Sequence, residues 1–291
     1  MSKHIIVFLI GCLFINSCSR LEIKDGTEKT ILTTLNKIRK NNSELISYYK
    51  KNPVKIYYNS DRNLKCCLYD FKNSIIYIPL QFESSPLTLE LELVKALNIW
   101  KIHNSYSLND ITLEELILGD MASLKYFISN NPVNDFFNDK ILSNYIKNIF
   151  CNFILINFKT TLNLIHDKYI AINTKCLYPP DTINEQKIWL NKMQQAIADG
   201  TYIDFVYESD LEKVKKGFIR MQDANRNALI LRSKNMYEIY REQRGYINMS
   251  LKNLDRFEKF YNKETENWIK WEKDNKKYIE KLKYEFTSCG S

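Results

Sequence analysis

The chain has 291 residues, 45% hydrophobic and 26% charged, and 42 Lys and Arg against 34 Asp and Glu give a formal net charge of +8. This is ordinary globular material, long enough for one large or two modest domains. Only 7 Gly and 6 Pro occur, which leaves no room for a Gly-rich phosphate loop. The positive charge is dispersed among carboxylates and no nucleic-acid motif accompanies it, so a solvated surface is expected and nucleic acid is not expected as a partner.

At the N-terminus Lys3 supplies a positive region, Ile5 to Ile15 form an apolar run of secretory length, and Asn16-Ser17 lead into Cys18. This resembles a bacterial lipoprotein signal, in which an aliphatic residue stands three before an obligatory Cys and a small residue just before it. Ile15, Ser17 and Cys18 fit that pattern, and Asn16 departs from the usual small or hydroxyl residue. The resemblance implies removal of residues 1–17 and lipid attachment at Cys18, a diacylglycerol on the thiol and an acyl chain such as palmitate on the new amino group. One acyl chain binds a membrane marginally and two or three hold it. Ser19 after the Cys implies the outer membrane where a cell envelope has two. A cleaved secretory signal without lipid and an uncleaved anchor helix remain the competing readings, although the apolar run is short for a bilayer span.

With Cys12 in the signal and Cys18 lipidated, Cys66, Cys67, Cys151, Cys176 and Cys289 remain. An odd number leaves at least one thiol free or intermolecular, and no spacing resembles a zinc knuckle or a C-x-x-C pair. Cys66 and Cys67, adjacent on an expected strand, should face opposite sides, and buried free thiols are expected.

Residues 18–52 read as a polar tether and short helices. Ile31, Leu32, Leu35 and Ile38 recur at helical spacing behind an Asp25-x-x-Glu28 capping start, and Leu45 to Tyr49 form a second short helix. After Pro53, Val54, Ile56 and Tyr58 alternate with Lys55 and Tyr57, and Cys66 to Tyr69 and Ser74 to Leu80 follow between turn residues. The pattern predicts a small antiparallel meander.

Ser85 is placed to cap a helix with Pro86 at its first position, and Leu89, Leu93, Ala96, Leu97 and Trp100 predict one apolar stripe. Thr112-x-x-Glu115 is a capping box for a second helix that runs through Met121, Leu124 and Phe127 to Asn130-Asn131-Pro132. The words Leu89-Glu90-Leu91-Glu92-Leu93-Val94-Lys95-Ala96-Leu97 resemble the His-Glu-x-x-His helix of the zincin metallopeptidases. There two His one turn apart bind zinc, and the Glu between them is general base on the metal's water. The resemblance covers Val54 to Tyr126. It assigns the general-base position to Glu92 and the two ligand positions to Leu91 and Lys95. A third ligand position on the next helix falls at Leu116, four residues before Asp120. Leu91, Glu92, Lys95, Leu116 and Asp120 thus form a vestigial site without metal ligands, and no cofactor is expected. The resemblance also makes Ile75 to Leu80 the edge strand that pairs with an extended peptide.

Two arrangements of these residues remain open. The Lys95 ammonium either stands where the metal's charge would be and pairs with Glu92, Asp120 or both, or all three lie on a wet surface. An ordinary amphipathic helix without zincin ancestry also remains open. His103 and His166 lack the spacing of a catalytic zinc site and read as surface or packing residues.

Ile149 to Phe158 reads as a buried core helix and Pro179-Pro180-Asp181 as a break, and Asn184 to Ala198 is a helix with Gly200 as its C-cap. Beyond, Ser209-x-x-Glu212 caps a long helix to Arg244, Gly245 ends it, and a second runs from Ser250 to Tyr284 with Leu254, Phe257, Tyr261, Trp268, Trp271, Tyr278 and Leu282 at heptad-like spacing. The fold expected is α+β and mainly helical: a zincin-like module over 53–205 and a long antiparallel helical hairpin over 206–291. The function expected is that of a membrane-anchored envelope lipoprotein, non-catalytic, that binds or scaffolds an envelope protein or peptide. A hydrolase built around Glu92 and Asp120, and a purely structural coiled-coil protein, are the alternatives.

Overall fold

The computed structural model describes residues 27–289, except 62–63, 131–132, 172–180 and 218. The signal sequence, Cys18, Cys176, the Asp25 cap and the Pro179-Pro180 break lie outside the described residues, as does the side chain of Cys289.

The described chain is mainly helical with one three-stranded sheet. Helices α1 (Thr27–Asn41) and α2 (Ser43–Lys51) come first. Between them the Asn42 side chain accepts from the Leu45 N–H at 3.1 Å, which restarts the helix after a single residue. Strands β1 (Lys55–Asn59), β2 (Leu68–Asp70) and β3 (Ile75–Pro79) follow.

The sheet corrects the expected meander. Its order is β1-β3-β2, with β1 parallel to β3 and β2 antiparallel to it. Ile75 to Pro79 is therefore the central strand, with its backbone groups engaged on both sides. It is not the edge expected to add a peptide strand, and Leu80 has already left it for a 3-10 turn over Leu80–Ser84. The physical reason is the apolarity of β3: Ile76 and Ile78 are fully buried, as central strands are.

Helices α3 (Pro86–Tyr106), α4 (Leu113–Asn130), α5 (Val133–Asn138), α6 (Asn144–Leu155), α7 (Phe158–Ala171), α8 (Ile183–Ala198), α9 (Tyr202–Lys215), α10 (Met221–Arg232), α11 (Met236–Asp274) and α12 (Lys276–Cys289) complete the described elements. The Ser85 side chain accepts from the Thr88 N–H at 3.3 Å, so Ser85 caps α3 as expected. The Thr112–Glu115 box is formed in both directions, at 3.2 and 2.7 Å. Gly200 ends α8 with φ +74°, and the left-handed conformation is one glycine adopts without strain.

Three helical expectations change. α3 is not a helix with one apolar stripe: Leu89, Leu91, Leu93, Val94 and Leu97 are all fully buried, so the helix is enclosed on every side from Leu87 to Leu97. The apolar run expected to form one helix through Phe158 breaks at Ile156, where exposed Leu155 and Ile156 separate α6 from α7. The C-terminal region is four helices and not a hairpin of two long arms. Ser209 and Glu212 lie inside α9, Gly217 at φ +75° and the Ser233 turn break the first expected arm, and Gly245 sits within α11. Gly ends a helix only where the chain turns left-handed, and nothing at Gly245 makes it do so.

The chain divides into two compact units, Met1–Ile102 with Leu118–Thr161 and Lys276–Ser291, and His103–Ile117 with Leu162–Asn275. In the first, Phe127 packs tilted against Phe136 and Phe150 at centroid distances of 5.0 and 4.7 Å, and Phe286 of α12 joins Phe136 at 5.4 Å. Trp100 of α3 meets Tyr48 of α2 edge-on at 5.0 Å. In the second, α11 packs along α8, Phe257 meets Tyr106 at 5.4 Å, and Lys187 bridges Asp255 and Glu258 at 2.6 and 2.8 Å.

A buried charge cluster around Lys95 as the candidate functional site

The enclosure of α3 forces a chemical question on its charged residues. Glu90, Glu92 and Lys95 are 3%, 3% and 7% exposed, and a charge taken out of water is costly unless it is paired and hydrogen-bonded. Each finds partners within the first unit. Glu90 pairs with Lys37 of α1 and accepts from the Tyr126 hydroxyl at 3.2 Å. Lys95 Nζ lies 2.8 Å from Asp120 Oδ1 of α4. The Tyr145 hydroxyl of α6 donates to Asp120 Oδ2 at 3.0 Å, and the Lys95 ammonium stands 5.9 Å from the centre of the Tyr145 ring. Glu92 Oε2 accepts the Cys67 N–H at 2.9 Å, just ahead of β2.

The electrostatics follow from this packing. Burial holds the Glu92 carboxyl above its ordinary 4.5, with Lys95 and the Cys67 N–H pulling it down and Asp120 pushing it up. For Lys95 burial works against the charge, but Asp120 and then Glu92 more than reverse it, and the ammonium is held above its ordinary 10.5. Burial, followed by the neighbouring Glu92 charge, raises the Cys67 thiol. Lys95 is thus a fixed cation between carboxylates.

Of the five residues expected to form the vestigial site, Glu92, Lys95 and Asp120 come together around one charge. The wet-surface arrangement is overturned, since Asp120 is 3% exposed. Leu91 is a core residue with no exposed surface, and its carbonyl accepts from Ser123 of α4 at 2.9 Å. Leu116 is half-buried and belongs to the second unit.

Three contributors had weaker or no sequence signals. Gly119 had one, a glycine inside a helical run, which is costly there unless packing requires it. A Cβ there would stand 2.8 Å from Ile99 Cγ1 and 3.2 Å from Lys95 Cγ, so the bare glycine lets α4 press against α3 and bring Asp120 to Lys95. Tyr145 and the Cys67 N–H had no signal, because tertiary packing alone selects them.

Zinc, which the zincin resemblance implies, does not fit this donor set. Leu91 has no lone pair to offer, Lys95 is a cation, and a carboxylate of the cluster is already engaged by it. Among the described residues no group of three or more His, Cys, Asp and Glu is placed to hold a metal ion.

His103, expected on the surface or in packing, is buried in the second unit. Its Nδ1 lies 3.0 Å from Glu115 Oε1, inside the capping box of α4. Burial raises the Glu115 carboxyl and the His103 hydrogen bond opposes that rise. His166 is exposed, 3.6 Å from Asp167. Cys66 is exposed and Cys67 buried, and both stand ahead of β2 and not on the strand expected to hold them, so the expectation of buried thiols is met by Cys67 and corrected for Cys66; neither these two nor Cys151 is in a disulfide.

Compared with protein-family models, curated proteins and solved structures, the chain matches none of them. Among the described residues no helix is long and apolar enough to cross a membrane.

Proposed function

We propose that the chain is a membrane-anchored envelope lipoprotein, attached through lipid on Cys18, that binds or scaffolds a protein or peptide without catalysis. Its central module is a zincin-like one in which a fixed lysine has replaced the metal. The Lys95–Asp120 ion pair beside Glu92 carries this reading. It sets a protein cation among carboxylates at the helix position where the resemblance implies zinc, and a lysine held charged is neither a Lewis acid nor a generator of metal-bound hydroxide. The anchor is supported separately by Ile15, Ser17 and Cys18.

The raised Glu92 carboxyl favours one second reading, an active hydrolase in which Glu92 is the base. A general base must reach the proton it removes, and Glu92 is enclosed with the Cys67 N–H against it.

Metal content and peptidase activity of the purified chain decide between the two. The expected outcome is no stoichiometric zinc and no peptide hydrolysis above a Glu92→Gln control; tight stoichiometric zinc, or hydrolysis that Glu92→Gln abolishes, overturns the non-catalytic reading. Intact-mass analysis after expression in a lipoprotein-processing bacterium tests the anchor. It should show a chain that begins at Cys18 and carries the mass of acyl groups, and Cys18→Ser should remove that mass.

A further inference from the structure

From the last turn of α10 into the middle of α11 the second unit leaves large apolar side chains uncovered. Leu229 and Ile230 are 66% and 50% exposed, and Tyr237 and Met249 74% and 64%. Single exposed apolar residues are ordinary, but on α11 Tyr237 belongs to a row, and Met249 follows the last member of that row, Asn248. Tyr237, Tyr240, Arg241, Arg244 and Asn248 recur at helical spacing and, with Gly245, line one shallow open groove. The lining holds two guanidiniums and no carboxylate. Arg244 lies 5.6 Å from the centre of the Tyr240 ring, and Glu242 on the same helix is bound to Lys234 at 2.6 Å. From Arg220 to Met249 the chain carries six Lys and Arg against three Asp and Glu, a surplus of three positive charges.

We propose that this face of α11 docks on an anionic phospholipid surface. A peptide-binding groove is concave and buries its anchors. Here Tyr237 and Tyr240, 74% and 41% exposed, stand outward along an open depression beside Arg241 and Arg244. That shape suits the boundary between lipid heads and acyl chains, into which Tyr and Met sink while arginine forks meet phosphate oxygens. The charge surplus selects an anionic surface over a neutral one. The proposal does not rest on lipid at Cys18.

The test is the rate of peroxide oxidation of Met249 in the full chain carrying Cys18→Ser, read by peptide mass spectrometry against buried Met193, 3% exposed. It is measured in solution, with phosphatidylcholine vesicles, and with phosphatidylcholine vesicles containing phosphatidylglycerol. Met249 is expected to be protected by the anionic vesicles alone. Arg241→Gln with Arg244→Gln should raise the anionic lipid concentration for half protection about thirtyfold, at about fivefold per guanidinium. The double variant alters exposed residues only, and an unchanged Met193 rate verifies its fold. Equal protection by both vesicles, or by neither, overturns the proposal. So does protection that grows with protein concentration in the absence of lipid, which would mean that a second copy covers the face. Because this chain has no lipid at residue 18, anionic protection supports the surface alone, and the anchor stands or falls with the intact-mass analysis.

Discussion

Lys95 is the side chain on which the buried cluster depends. Its ammonium offsets two carboxylates that have no access to water, so Lys95→Met leaves Asp120 and Glu92 buried without a cation. That change should cost about 3–5 kcal/mol in urea unfolding, the range for breaking one partner of a buried pair. The combined Lys95→Met and Asp120→Leu chain should recover most of this loss, because a buried ion pair replaced by apolar groups of similar size is often near neutral. If both variants are equally destabilised, the pair is not coupled in the way the 2.8 Å contact implies. Glu92 adds a pH dependence of its own. Its folded carboxyl titrates above the unfolded value near 4.5, so the folded state binds the proton more tightly, and Glu92 favours folding fully below that value. This contribution is lost as pH rises through the raised folded value. Glu92→Gln should therefore flatten the fall in stability with rising pH over that window, measured as urea midpoints across pH; an unaltered slope would show that Glu92 is not held above its ordinary range.

The helices show how one residue type acts oppositely in two settings. Gly119 and Gly245 both lie inside helices, α4 and α11. At Gly119 a methyl group would meet Ile99 at 2.8 Å, whereas at Gly245 nothing lies within 4 Å. Gly119→Ala should destabilise the chain by about 1–3 kcal/mol through overpacking and weaken the coupling between Lys95 and Asp120. Gly245→Ala should stabilise it by about 0.5–1 kcal/mol, since alanine loses less backbone freedom in a helix. Opposite shifts in thermal midpoint are the expected result. The same contrast explains what could be seen in advance. The start of α3 at Pro86, the Thr112–Glu115 box and the Gly200 cap were legible because each is a local code of a few residues. The sheet order was not. Alternation in Val54, Ile56 and Tyr58 marks a strand but says nothing of its neighbour, and β3 became central because Ile76 and Ile78 are buried on a sheet paired from both sides.

At the scale of the whole molecule the two proposals describe independent routes to a membrane, a lipid at Cys18 and the basic, aromatic face of α11, and neither requires a transmembrane helix. If both operate, Cys18→Ser should reduce association with bacterial membranes without abolishing it. High salt, which screens guanidinium–phosphate attraction, should then release the Cys18→Ser chain and leave the lipidated chain bound. Fractionation at low and high salt reads this directly, and release of the lipidated chain by salt alone would contradict anchoring through Cys18.

By itself the amino-acid sequence determined the mainly helical α+β class, the helix starts at Pro86, Leu113 and Ile183, and the presence on α3 of Glu92 and Lys95 one turn apart, because propensity, capping and period are written within a few residues. Whether those charges met water or one another was decided only by tertiary structure. Asp120 reaches Lys95 because Gly119 lets two helices close, and Tyr145 and the Cys67 N–H arrive from elements distant in the chain. Burial belongs to the packed whole, and it turns three ordinary charged residues into one enclosed cluster.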